Sequence, residues 1–210
     1  MIDRPSVAVI DYGIGNLRSA EKALQRVGAD ATLTTSSDAI ASADAVVLPG
    51  VGNFGRCMEA LHETELAQPA LDAVASGRPF FGICVGMQML FESSEESPDR
   101  PGLGVLPGQV VLLPDTVKRP QMQWNAISTA APHPVAESVD GEWMYFVHSY
   151  AVTESPAAIA TCDYGGSVVA IAGQDNVLAT QFHPEKSGRA GLTLLQAFVE
   201  QIPQRVSVEP

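Results

Sequence analysis

Over the first ninety residues, short and evenly apolar runs alternate with segments of helical spacing, and few architectures accept that alternation. Residues 7–10 form an apolar run that stops at Asp11-Tyr12-Gly13. Residues 16–27 carry Leu17, Ala20, Ala23, Leu24 and Val27 at helical spacing, and Gly28 ends them. Residues 31–34 predict a second strand, 38–42 a short helix, and 45–48 a third strand that ends abruptly at Pro49-Gly50-Val51-Gly52. A long helical region over 54–76, broken near Pro69, leads to a strand that begins at Phe80. Such alternation of helices with strands that show no polar face is the signature of a parallel sheet covered on both sides.

From about Gly104 the character changes. Val105 and residues 110–113, 124–127, 143–152, 159–162, 168–172 and 177–182 read as strands separated by turns, with Gly173-Gln174-Asp175-Asn176 as a tight hairpin connection. A final helix over 187–201 ends before Pro203, and residues 205–210 read as a loose tail. With 210 residues there is enough chain for one sizeable core. The expected fold is α/β: a single domain over residues 1–202, with a mostly parallel central sheet, flanking helices and an antiparallel-rich C-terminal half. A tail over 203–210 follows it.

The candidate chemistry sits at the run Phe80-Phe81-Gly82-Ile83-Cys84-Val85-Gly86-Met87-Gln88. An apolar strand drives straight through Gly-Ile-Cys-Val-Gly into a helix, the sharp corner called a nucleophile elbow, with cysteine in the place of serine. A glycine on each side lets the backbone turn tightly around a strained residue whose side chain then stands out into solvent. The thiol also begins a helix, where free N–H groups and the macrodipole favour thiolate. A lone cysteine is more often a small buried hydrophobe, but a core strand has no use for two flanking glycines. Cys57 and Cys162 lack such context and read as packing residues.

Among four histidines, His62 and His133 read as surface residues, and His148 ends a strand. His183 is the best base. Pro184 biases it toward extended backbone, so Glu185 shares its face and can orient the ring while the other nitrogen meets Cys84. Pro49-Gly50-Val51-Gly52 follows a strand expected near the elbow strand. With the Val85 amide, it is a candidate oxyanion hole.

Other chemistries are excluded. A formal charge of −12 argues against nucleic acid and anionic membrane surfaces as partners. The three cysteines are widely spaced and form no Cys-x-x-Cys pair, so neither a disulfide framework nor a zinc site is expected. Gly13-Ile14-Gly15-Asn16 suggests a dinucleotide loop, but Arg18 stands where its third glycine belongs. No Walker sequence is present, and no cofactor or metal is expected. The N-terminus reads as lacking a signal peptide, and no apolar stretch approaches the roughly 20 residues of a membrane helix. The expected compartment is the cytoplasm.

The elbow over 82–88 together with His183-Pro184-Glu185 resembles the class I glutamine amidotransferase domains. Asp11-Tyr12-Gly13-Ile14-Gly15-Asn16-Leu17, Pro49-Gly50-Val51-Gly52, Tyr145-Phe146-Val147-His148-Ser149-Tyr150 and Phe182-His183-Pro184-Glu185-Lys186-Ser187-Gly188 look more narrowly like the glutaminase subunits of imidazole glycerol phosphate synthases. The resemblance covers nearly the whole chain. It implies Cys84 as nucleophile, His183 as base and acid, and Glu185 as its orienter. It further implies Gly50, Val51, Gly52 and Val85 as the oxyanion region, with Gln88 and the His148-Ser149-Tyr150 backbone lining a pocket for L-glutamine. The implied partner is a (β/α)8-barrel cyclase that forms a heterodimer with the glutaminase and receives its ammonia. There the ammonia joins a phosphoribulosyl-formimino aminoimidazole carboxamide ribonucleotide in histidine biosynthesis. Tyr12, Asn16, Asn53 and Trp124 are candidates for the partner face.

The family segment Pro-His-Met-Gly-Trp-Asn is here Pro120-Gln121-Met122-Gln123-Trp124-Asn125, and Gln123 is expected to constrain a backbone that glycine leaves free. Three other readings stay open on the residues alone. They are a glutaminase subunit for pyridoxal phosphate or anthranilate synthesis, a cysteine-elbow stress protein or peptidase, and a partner subunit with a vestigial site.

Overall fold

The computed structural model describes residues 4–15 and 17–203. Its first half follows the predicted alternation: β1 (Ser6–Ile10), α1 (Leu17–Arg26), β2 (Asp30–Thr34), α2 (Ser37–Ser42), β3 (Ala45–Gly50), α3 (Phe54–Glu63), α4 (Ala67–Ala75), β4 (Phe80–Cys84) and α5 (Val85–Leu90). The strand-rich half contains β5 (Ser93–Ser94), β6 (Gln109–Leu112), β7 (Gln121–Ala126), β8 (Ser128–Thr129), α6 (Pro134–Glu137) and β9 (Trp143–His148). It continues through β10 (Tyr150–Ala151), β11 (Ala158–Asp163), β12 (Ser167–Gln174) and β13 (Val177–Thr180) to α7 (Gly188–Glu200).

An eight-stranded sheet in the order β2-β1-β3-β4-β13-β12-β11-β8 forms the frame. The first five strands of that order run parallel and the last three antiparallel. β3 and β4 are buried along their whole length, as strands covered by helices on both faces must be. α1 turns Leu17, Ala20, Ala23 and Leu24 inward. A three-stranded sheet, β10-β6-β5, and a two-stranded ribbon, β7-β9, sit beside the main sheet. Among the described residues no helix is long and apolar enough to cross a membrane.

Several local expectations are corrected. β3 does not stop at Leu48 but runs through Pro49 and Gly50, which pair with Ile83 and Cys84 of β4. Pairing with β1 ends at Val47, so Pro49, which has no N–H to give a ladder, sits where β3 has one neighbour instead of two. The region over 54–76 breaks at Thr64-Glu65-Leu66, with Glu65 at φ 58°, and not at Pro69. Pro69 lies in the first turn of α4, where a missing N–H leaves no bond unmade. Val105 is not in a strand, and the stretch over 143–152 splits at Ser149 into β9 and β10, which join different sheets. Gln123 sits in ordinary strand pairing opposite Phe146, a backbone that any residue adopts. Asn16 and residues 204–210, most of the expected tail, lie outside the described residues.

The elbow forms as the sequence predicts, with Cys84 at φ 55°, ψ −109° between β4 and α5. Neither flanking glycine has positive φ, so the strain falls on Cys84 itself and the glycines are needed for close approach. A Cβ on Gly82 would lie 3.1 Å from the Met87 Cα, and one on Gly86 would overlap the carbonyl oxygen of Leu48 in β3. Gly86→Ala is therefore expected to push α5 off the sheet. The estimated destabilisation is about 3 kcal/mol, a Tm lower by roughly 10 °C in a thermal melt; an unchanged Tm would refute this packing.

Candidate active site

Three neighbouring parallel strands deliver the chemistry at their carboxyl ends, the edge where open α/β sheets place their ligands. β4 ends at Cys84. β3 ends at Gly50, directly opposite it, and leads into Val51 and Gly52. β13 ends at Thr180, three residues before His183. A cavity of about 350 Å³ opens there, lined among others by Val51, Gly52, Cys84, Val85, Gln88 and His183. Cys84 lies in its wall and is only 3% exposed, so the thiol faces the cavity without standing out into bulk solvent as the sequence suggests.

His183 Nδ1 bonds Glu185 Oε1 at 2.8 Å, and its ring is close enough to Cys84 to feel the sulfur electrostatically. Because Nδ1 faces the carboxylate, Nε2 is the nitrogen left for the sulfur. Burial pulls the His183 pKa down, but the bonds and charges of Cys84 and Glu185 outweigh it and raise the pKa to about 9. Relative to the ordinary 6.5, this interaction stabilises the fold fully below pH 6.5 and is lost as pH rises through about 9. The local route differs from the sequence reading. His183 is extended, but Pro184–Lys186 form a 3-10 turn, and this turn swings Glu185 back onto the ring. Ser187 locks it, with Oγ donating to the His183 carbonyl at 2.7 Å and accepting from the Tyr145 N–H at 3.0 Å.

Of the expected oxyanion residues, Val51, Gly52 and Val85 line the cavity. Gly50 lies behind them, buried, where a Cβ would come within 2.7 Å of the Gly86 nitrogen and 3.0 Å of the Val85 carbonyl carbon. The expected substrate residues Gln88, His148, Ser149 and Tyr150 are all in the wall. Gln88 Nε2 donates to the Tyr150 carbonyl at 2.8 Å and to Gln181 Oε1 at 3.0 Å, and Gln181 Nε2 reaches Cys84 Sγ at 3.9 Å. His148 Nδ1 lies 3.0 Å from the Tyr150 carbonyl oxygen, and burial pushes its pKa down to about 4, so it stays neutral.

Sequence reasoning missed two charged residues of the wall, Glu96 and Lys186. Glu96 lies in a stretch of charges that reads as solvated surface, yet its Oε2 accepts from the Phe54 N–H at 2.6 Å, which ties it to the start of α3. Lys186 is inside the His-Pro-Glu-Lys run, and the signal was its nearness to His183 and Glu185. Of the expected partner-face residues, Trp124 is 46% exposed and Asn53 is exposed, though Asn53 Oδ1 also caps α3 through the Arg56 N–H. Tyr12 is corrected: it is 1% exposed, its hydroxyl on the Pro49 carbonyl at 2.8 Å, and so cannot face a partner.

A mostly parallel sheet with a cysteine elbow and a His-Glu pair just beyond the adjoining strand defines a class of glutamine-hydrolysing domains. The chain belongs to the glutamine amidotransferase class-I family, whose model matches residues 8–202. More particularly, it is similar to the imidazole glycerol phosphate synthase subunit HisH of Syntrophotalea carbinolica, at 46% identity over 91% of this chain and 98% of that one. HisH of Methanothermobacter thermautotrophicus is 45% identical, over 92% and 98% of the two chains. Among solved structures, one described as a glutamine amidotransferase superposes with a TM-score of 0.74 at 22% identity, covering 92% of this chain and 97% of that one. PurLQS from Thermotoga maritima also gives 0.74, at 18% identity and 94% and 99% coverage. At these identities the two structures speak for the fold alone.

Proposed function

We propose that this chain is the glutaminase subunit of an imidazole glycerol phosphate synthase. It hydrolyses L-glutamine to glutamate and ammonia and passes the ammonia to a cyclase subunit in histidine biosynthesis. The observation that carries the reading is the 2.8 Å His183–Glu185 bond in the wall that holds Cys84, in a chain at least 45% identical to the two HisH subunits. The reading is one of acyl transfer.

Cys84 Sγ attacks the side-chain carbonyl carbon of glutamine while backbone N–H groups of the Val51-Gly52 loop and of Val85 take up the charge on oxygen. His183 Nε2–H protonates the departing nitrogen, which leaves as ammonia, and a thioester remains. The now neutral His183 takes a proton from water, hydroxide displaces the sulfur, and glutamate and the Cys84–His183 pair are restored. Glu96 and Lys186 offer the charges that an amino acid's ammonium and carboxylate require.

The partner reading is supported by one face of the β7–β9 ribbon. Met122, Trp124 and Trp143, exposed by 60%, 46% and 58%, stand in register with Val147, Tyr145 and Ala126. An apolar row of this kind beside an active-site cavity suits a docked subunit, here proposed as a (β/α)8-barrel cyclase. All three cysteines are free, which accords with the cytoplasm as the proposed compartment.

The test is ammonia release from glutamine by the chain alone and then mixed with the cyclase subunit and its nucleotide ligand. Near silence alone and strong release in the complex are expected. Strong activity unchanged by that partner would keep the glutaminase chemistry and assign it to another synthase.

A further inference from the structure

Two side chains that the mechanism does not use meet the oxyanion strand from its buried side. Cys57 is fully buried on α3 and its thiol donates to the Val51 carbonyl at 3.3 Å. Tyr12, two residues beyond β1, donates its hydroxyl to the Pro49 carbonyl at 2.8 Å. These bonds bracket the Gly50–Val51 peptide. We propose that Tyr12 and Cys57 are positioning residues for glutamine hydrolysis, a buried clamp that fixes the strand carrying the oxyanion donors; the proposal rests on the glutaminase reading above.

The C=O and N–H of one trans peptide point in opposite directions. Holding the Val51 carbonyl on a core thiol therefore turns the Gly52 N–H to the other side, and Gly52 lines the cavity. Gly50 packs closely between the clamp and the elbow. A Cβ there would lie 2.9 Å from the Tyr12 hydroxyl and 2.7 Å from the Gly86 nitrogen. Burial raises the pKa of both the phenol and the thiol, so each keeps the proton that it donates. A thiol is a weak donor, so Tyr12 is expected to hold the strand more firmly than Cys57.

The experiment measures kcat and KM for glutamine in the assembled complex, with Tm for each variant. Cys57→Ala is expected to lower kcat about tenfold with KM within about twofold, because misplaced donors act on the transition state and not on substrate binding. Tyr12→Phe should lower kcat further, and Cys57→Ser, which restores a donor of similar size, should recover most of the loss. Wild-type kcat in Cys57→Ala overturns the clamp, and so do equal losses in the Ala and Ser variants, which would mark a packing role. A wild-type complex silent on glutamine overturns the glutaminase reading and the clamp together, whereas an active wild type with an unaffected Cys57→Ala overturns the clamp alone.

Discussion

Replacing Cys84 with alanine is expected to abolish ammonia release from glutamine, by on the order of 10^4-fold or more, while the assembled complex still makes product from free ammonium salts. Neither of the other two cysteines can take over. Cys57 and Cys162 are buried and neither lines the cavity. The fold should survive, because alanine meets the same backbone strain at φ 55° that cysteine does. Glycine at this position would relieve the strain, so Cys84→Gly should be equally inactive and more stable by about 1 kcal/mol. Paired assays with glutamine and with ammonium decide the matter. Glutaminase activity within tenfold of wild type would mean that another group attacks, and loss of both activities would refute the division of labour between subunits.

The second large effect is at Glu185. Glu185→Gln keeps the shape but removes the charge, and it can hold the wrong tautomer of His183, for which a loss of about 10^2 to 10^4-fold in kcat is expected. The pH profile separates this from simple damage. Cys84 and Glu185 together hold the His183 pKa at about 9, so the wild-type enzyme should keep its imidazolium until pH rises through that value. Without the carboxylate the pKa falls, and the alkaline limb of kcat/KM should move from about 9 toward the ordinary 6.5. A lower rate with an unmoved alkaline limb would show that Glu185 does not set the protonation of His183.

Much of the site was legible because its parts are local. The elbow is one strand, one strained residue and one helix inside eleven positions. His183 and Glu185 are two residues apart, so their pairing could be read even though a 3-10 turn, not an extended strand, brings them together. The errors arose where a residue's role depends on distant chain. Tyr12 sits in a run that looks like partner surface, but the end of β3 lies over it. Cys57 read as packing, and only the Val51 carbonyl above it shows that it also donates. Glu96 resembled its solvated neighbours until the Phe54 N–H placed it at the cavity.

The sequence by itself determined the α/β alternation and the elbow and singled out Cys84, His183 and Glu185 as candidates, because hydrophobic period, glycine placement and proline report how each segment divides itself between solvent and core. That local partition carries no information on which strand lies beside which. Tertiary structure alone decided that β13 pairs with β4 across almost a hundred residues of chain, and that β3 flanks β4 on the other side. Those two pairings bring His183 and the Val51-Gly52 loop to Cys84. They rest on long-range burial of apolar strands, whose closure no short window of sequence records.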